Sequence, residues 1–441
     1  MAAQPHAKLT QSSDDSAGST LSSNKDEASA ASGLGSVVSS PDSQAQNTTT
    51  LSVDTLNLEA AQSTSIVNRL SETVAQLQKG QLSQSERFEA VKFIVDHIQH
   101  HPDQKKRTDY AKFAVKTLKS MITLNCDPEI QYYLGNLYIG GVPGDPAPHK
   151  SNFAKAYNMY SSAAKKDHLE SIYHVALCHE RGAGTSTNKS KAAHNYKKAA
   201  MLNHPGAMYR LGMSLLRGDL GQAKNARDGV KWLRLSAKYA TPKYSHALYE
   251  LAMLHDQGVH NVVWTDHEYL INLLTQAAAL GHTAAQYRLG EAYEYAKFGV
   301  SVDPGRSVYY YSLAASNGHP EAMFELGGWF LTGTDDPNTG FHLDQSDSDA
   351  YYWVYKAADK HRLPRAMFAV GYFHETGVGC AVDLEKAMEW YKLASDAGDP
   401  KAIKRLTGKD PEPQPTDTNK RGKRFIRRTL SKSKSTSCTI C

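Results

Sequence analysis

The chain has 441 residues, 40% of them apolar, which is more than one compact core usually serves, so several domains or an extended repeat array are expected. No run of about 18 apolar residues occurs and no charged-then-apolar leader opens the chain, which excludes a helical membrane span and points to the cytosol rather than secretion. The net charge of +5 lies in the tail, where residues 419–441 hold eight Lys/Arg and no acid; the body is slightly acidic, and no nucleic-acid partner is indicated.

In chain order, no Phe, Tyr or Trp precedes Phe88, and residues 1–55 are dominated by Ser, Thr, Ala and Gly. Such a composition cannot bury enough surface to offset chain entropy, so residues 1–60 are expected to be a disordered head. Within 61–83, Val67, Leu70, Val74 and Leu77 fall at helical 3-4-3 spacing, and a transient helix or linker is expected there. The stretches ERFEAVKFIVDHI and DYAKFAVKTLKSMI in 84–125 read as N-terminal capping helices.

The segment 126–408 repeats itself. The blocks YYLGNLYIGG, YHVALCHERG, YRLGMSLLRG, YELAMLHDQG, YRLGEAYEYA, FELGGWFLTG and FAVGYFHETG each precede a second helical stretch such as KAAHNYKKAA or KAMEWYKLAS. One small residue recurs in them, Gly135, Ala176, Gly212, Ala252, Gly290, Gly327 and Gly371, at spacings of 36 to 44 residues. A period of that length means an all-α solenoid of helical hairpins. Glycine inside a helix costs about 1 kcal/mol relative to alanine. Its recurrence is explained if the two helices of each hairpin approach closely there, with the Ala pairs 163/164, 199/200 and 314/315 expected opposite. Gly182, Gly218, Gly258, Gly333 and Gly377 stand where the first helix must stop, as left-handed caps; Ala296 breaks that pattern, and Gly299 is expected to take its role. KAIKRLTG at 401–408 reads as an eighth unit cut short.

The tail 409–441 is expected to be flexible, and it ends Cys438-Thr439-Ile440-Cys441, a C-a-a-X pattern for prenylation of Cys438. No other cofactor is expected beyond that prenyl group, farnesyl in this reading. Lys420, Arg421, Lys423, Arg424, Arg427, Arg428, Lys432 and Lys434 complement it, because one lipid chain binds a bilayer only marginally and each basic residue beside anionic lipid adds about 1 kcal/mol. Thr429, Ser431, Ser433 and Ser435 are candidate phosphorylation sites that would weaken this attachment. A nuclear import signal is the rival reading of the basic run.

Catalytic chemistry is hard to find. His97, His100 and His101 share a helical face and read as a solvated surface rather than a metal site. The acids of LDQSDSDA (343–350) lack a calcium loop's glycine and terminal glutamate and read as helix capping. RGAGTSTNKSK (181–191) joins two helices, not a strand and a helix, so it is no phosphate loop. Cys126, Cys178 and Cys380 fit neither a disulfide framework nor a zinc module and read as buried thiols. Trp329, Trp353 and Trp390 occupy repeat positions and read as core, while any aromatic on the concave surface would anchor a partner.

The units resemble Sel-1-like repeats, relatives of tetratricopeptide repeats. The stretches 207–237 and 284–315, GGWFLTGT and LDQSDSDAYYWVYKAA, with the turn GDLGQAKNARD, resemble the fungal chitin synthase regulatory (activator) family over roughly 84–407. That resemblance implies a non-enzymatic regulator that binds and activates or localises a membrane chitin synthase at the septum or growth sites. It implies division-site adaptors as further partners, and a prenylated cysteine, here Cys438. The expected location is the cytoplasmic face of the plasma membrane, with anionic inner-leaflet lipids as partners. A repeat adaptor in signalling or protein quality control, soluble or membrane-tethered, is the alternative.

Overall fold

The structure, a computed structural model, describes residues 53–122, 126–147 and 150–408. α1 (Val53–Lys79), α2 (Gln84–His97) and α3 (Gln104–Met121) lead into seven helical hairpins. These are α4 (Pro128–Gly140) with α5 (Phe153–Ala164), α6 (Leu169–Arg181) with α7 (Lys189–Met201), α8 (Pro205–Arg217) with α9 (Ala226–Lys238), and α10 (His246–Gln257) with α11 (His267–Ala279). They continue as α12 (Thr283–Tyr295) with α13 (Pro304–Ser316), α14 (Pro320–Thr332) with α15 (Asp347–His361), and α16 (Pro364–Thr376) with α17 (Leu384–Asp396); α18 (Pro400–Thr407) starts an eighth. From α4 onward each helix packs against the one before and the one after it, so the array is an α-solenoid of A helices (first of each pair) and B helices (second).

Local chemistry sets where these helices begin. Every B helix starts after an Asn, Asp or Ser whose side-chain oxygen accepts the backbone N–H three residues on: Asn152, Asn188, Asn225, Asp266, Asp303, Ser346 and Asp383. In LDQSDSDA the cap is thus Ser346, with Asp347 and Asp349 in the favourable first turn.

Helix ends follow the glycines in part. Gly182, Gly218 and Gly377 are left-handed caps. Gly258 and Gly333 also have positive φ but extended ψ (158° and 176°), which sends the chain sideways instead of closing a cap. After Gly258 comes the bridge Val259–Val263, and after Gly333 a hairpin of β1 (Thr334–Asp336) and β2 (Phe341–Leu343), Asp335 opposite His342. The sequence pattern did not foresee that hairpin. Ala296 corrects another expectation: it takes the left-handed conformation itself (φ 51°, ψ 43°), and Gly299 is not the cap.

The small residues of the A helices lie at the hairpin contact, but not against the Ala pairs. A Cβ on Gly290 would stand 2.5 Å from the Tyr311 ring, on Gly135 2.6 Å from Tyr160, on Gly371 2.8 Å from Tyr391, and on Gly327 2.5 Å from Val354. Gly212 lies backbone to backbone with Gly229, beside Leu233. Ala176 and Ala252 are fully buried. The slot is therefore cut for a large B-helix side chain. The Ala pairs come one turn later, where Ala163, Ala199 and Ala314 offer carbonyls to the backbone N–H of His168, His204 and His319 as the next A helix starts.

α1 begins at Val53, within the head expected to be disordered to residue 60, and runs through most of the 61–83 stretch where a helix or linker was expected. Leu70, Val74 and Leu77 are buried in one core with Val91, Ile94, Ala114 and Leu118 of α2 and α3 and with Ile130 and Leu134 of α4. The 3-4-3 stripe has a partner in α2, which supplies the burial that a lone helix lacks.

Candidate functional site

Each A helix carries an aromatic residue three positions ahead of its small residue, and five of these rings meet a histidine of the next repeat. Tyr173 stacks on His204 (centroids 4.4 Å), Tyr249 on His282 (4.9 Å) and Tyr287 on His319 (4.5 Å); Tyr132 lies tilted against His168 and Tyr209 against His246. His168, His204, His282 and His319 are also N-caps, their Nδ1 accepting the N–H of Ser171, Ala207, Ala285 and Ala322. One imidazole thus caps its own helix and stacks on the preceding one. Reasoning from sequence missed these histidines, although DHL, NHP, GHT and GHP recur just before the A helices.

A second network couples hairpin packing to repeat stacking. The Tyr196 hydroxyl donates to Glu180 (2.5 Å), which also holds Arg210 of the next A helix; Tyr391, Glu375 and Arg405 repeat the arrangement. In the fifth repeat Tyr311 donates to Glu294 (2.8 Å), but the next A helix offers Glu325. Burial pushes the Glu325 carboxyl up to about 7, with Glu294 and Glu291 adding to the rise and Arg365, 2.9 Å away, opposing it.

Glu170 on α6 is a hub. Lys243 Nζ reaches it at 2.9 Å and the Tyr244 hydroxyl donates to it at 3.0 Å, with His204 Nε2 3.2 Å away. Against the cost of burial, His204 and Lys243 hold its carboxyl well below the usual range. Lys243 lies just before the fourth repeat and Glu170 in the second, so side chains two repeats apart meet on the A-helix side of the solenoid. A cavity of about 520 Å³ opens there, walled by Tyr173, Leu177, Tyr209 and Tyr244 with Arg181, Arg210 and Lys243. His174 lies in the same cavity, its imidazole pushed down to about 4 by burial.

The expected lipidation and membrane residues, Cys438 and Lys420, Arg421, Lys423, Arg424, Arg427, Arg428, Lys432 and Lys434, lie outside the described residues. Gly135, Ala176, Gly212, Ala252, Gly290, Gly327 and Gly371 serve packing inside the hairpins. The helical face expected for His97, His100 and His101 forms only in part: α2 passes into a 3-10 turn, Ile98–His100, that keeps the His97 and His100 rings 6.2 Å apart, whereas His101 is buried with Nδ1 accepting the Asp103 N–H. Among the described residues no cluster of His, Cys, Asp or Glu could hold a metal ion, and no helix is long and apolar enough to cross a membrane. Cys126 and Cys178 are buried, whereas Cys380 is half-exposed beside His374. Trp353 is core, and Trp329 and Trp390 pack partly buried against it.

The fold and the contacts between its repeats define a helical-repeat protein. The Sel1 repeat family model matches 128–168, 169–204, 205–238, 245–282, 283–319, 320–361 and 364–399, more than half of the chain, and leaves out 239–244. The chain belongs to the Sel1 repeat family. It is similar to chitin synthase regulatory factor 3 of Schizosaccharomyces pombe, 38% identical over 67% of this chain and 31% of that protein. It is also similar to chitin synthase regulator SKT5 of Saccharomyces cerevisiae, 35% identical over 64% of this chain and 39% of that protein. The chain thus spans about a third of the length of these relatives. A Sel1 repeat protein of Oxalobacter formigenes, solved by crystallography, aligns at 23% identity and a TM-score of 0.49 over 78% of this chain and 89% of its own.

Proposed function

We propose that the chain is a non-enzymatic scaffold that binds a chitin synthase through its A-helix face and activates or localises it. The observation that carries this is the similarity to chitin synthase regulators, which extends along the repeats, and the A-helix side of those repeats offers an open cavity lined by Tyr173, Tyr209, Arg181 and Lys243. In this reading a prenyl group on Cys438 and the basic residues 420–434 hold the solenoid against anionic lipid on the cytoplasmic face of the plasma membrane, at the septum or growth sites. The tether acts by confinement, raising the concentration of scaffold around a membrane-embedded partner. Division-site adaptors would occupy surface that the synthase leaves free.

Affinity capture from solubilised membranes tests the partner. A chitin synthase is expected in the eluate of the full chain. Recovery of signalling or quality-control proteins without any synthase would favour the adaptor reading instead.

A further inference from the structure

The connection between α9 and α10 breaks the rule that the other connections between repeats obey. Elsewhere two to four residues join a B helix to the next A helix; here seven do, 239–245, and the family model skips six of them. The extra residues fold as a turn, Pro242–Tyr244, that reaches back to α6 through the Tyr244 hydroxyl on Glu170. Tyr244 packs edge-on against His204 (4.9 Å) and Tyr173 (5.8 Å), and the backbone makes room for it at Gly206, where a Cβ would stand 2.7 Å from the Tyr244 ring. The insertion thus supplies one wall of the 520 Å³ cavity, and α6, α8 and His246 at the start of α10 supply the others.

The charges of that cavity are unequal in availability. Arg210 is occupied by Glu180, itself bonded to Tyr196. Lys243 is held by Glu170 at 2.9 Å and lies over the Tyr244 ring, 5.0 Å from its centroid, with its side chain well exposed. Arg181, at the end of α6, is exposed, lines the cavity and makes no hydrogen bond or ion pair. With Arg210 held by Glu180 and Lys243 by Glu170, Arg181 is the cation lining the cavity that no carboxylate holds. Leu177, Tyr173 and Tyr209 add half-exposed apolar surface beside it.

We propose that this cavity is a recognition pocket for a single carboxylate on an extended segment of a partner protein. Arg181 and Lys243 bind the carboxylate, and the Tyr173, Leu177 and Tyr209 wall takes an adjacent aliphatic or aromatic side chain. A single cation that no carboxylate holds suits a monoanion, and a side-chain carboxylate and a chain terminus share that chemistry. The assignment rests on the solenoid being a binding module, not on which protein it binds.

The test uses the full chain and a display library of random twelve-residue peptides. Selected peptides are expected to be enriched in Asp or Glu next to an apolar residue. Resynthesised with Asp→Asn or Glu→Gln, they should bind at least tenfold more weakly by fluorescence anisotropy. Comparing free-acid with amidated ends tells a terminal from a side-chain carboxylate. Arg181→Glu should cause a similar loss, with the circular dichroism melt lowered only by the small cost of a reversed charge in the last turn of α6; Arg181→Ala gives a smaller loss in the same direction. Selected peptides without acidic enrichment, or binding indifferent to Arg181→Glu, would overturn the pocket. Capture of a synthase by the Arg181→Glu chain would then leave the proposed function standing, whereas peptide binding without any captured synthase would sink only the choice of partner.

Discussion

Gly290 shows how little freedom a repeat position has. The Tyr311 ring that fills its slot is fixed at the far end by its hydroxyl on Glu294, so it cannot swing aside for a new side chain. Gly290→Val is expected to destabilise the chain by about 1–3 kcal/mol in urea unfolding, the usual range for overpacking. Gly140→Ala, at a helical position with open space around it, should be neutral or slightly stabilising. Ala296 offers the converse case, because an L-residue in the left-handed region is strained; Ala296→Gly is expected to raise stability by up to about 1 kcal/mol. The recurrence of small residues was legible in the sequence, since it survives as a period. Their occupant was not: Tyr160, Tyr311 and Tyr391 alternate with Leu233 and Val354 in that slot, and an Ala pair one turn away is a more regular signal.

At the scale of the helix, the caps decide both register and pH response. Asn225→Ala removes the oxygen that accepts the Asp228 N–H and should cost about 1 kcal/mol, read by the same urea titration. The histidine caps add a titration. Burial, with His246 nearby, pushes the His282 imidazole down to about 4, and burial lowers His319 as well. An unfolded histidine titrates near 6.5, so below that pH the unfolded chain binds the extra proton first and stability falls as pH drops from about 6.5 toward about 4. Glu325 slopes the other way, its stabilising contribution present below the ordinary carboxyl value and lost as pH rises through about 7. The bulk curve mixes the two, so the check is a difference: His282→Asn, which keeps a capping oxygen, should flatten the acid limb relative to wild type. Asn, Asp and Ser caps could be anticipated from residue type. Histidine caps could not, because their second role, stacking on a tyrosine of the preceding repeat, exists only once the solenoid is assembled.

For the whole molecule, period alone carried most of the fold, because stacked hairpins of one length admit one architecture. What escaped were departures from the period: the β1–β2 hairpin, the packed α1, and the 239–245 insertion that builds the pocket. The last two are made by contacts between segments far apart in sequence, such as Leu70 with α2 and α3 or Lys243 with Glu170, and no local pattern records them; the β1–β2 hairpin is local but falls in a turn outside the repeated helices. Placement at the membrane is tested separately from the solenoid. Cys438→Ser is expected to move the chain from the membrane to the soluble fraction while leaving its unfolding curve unchanged, and a chain that stays on membranes would remove the lipid from the proposal.

The central claim is that the solenoid regulates a polymerising enzyme by holding it and performs no chemistry itself. The direct measurement is the rate at which membranes from cells lacking the chain convert UDP-N-acetylglucosamine to chitin as purified full chain is added back. The expected result is a saturable rise in rate with added chain, and no polymer from the chain alone. An unchanged rate across the titration, or substrate consumed by the chain without membranes, would contradict it.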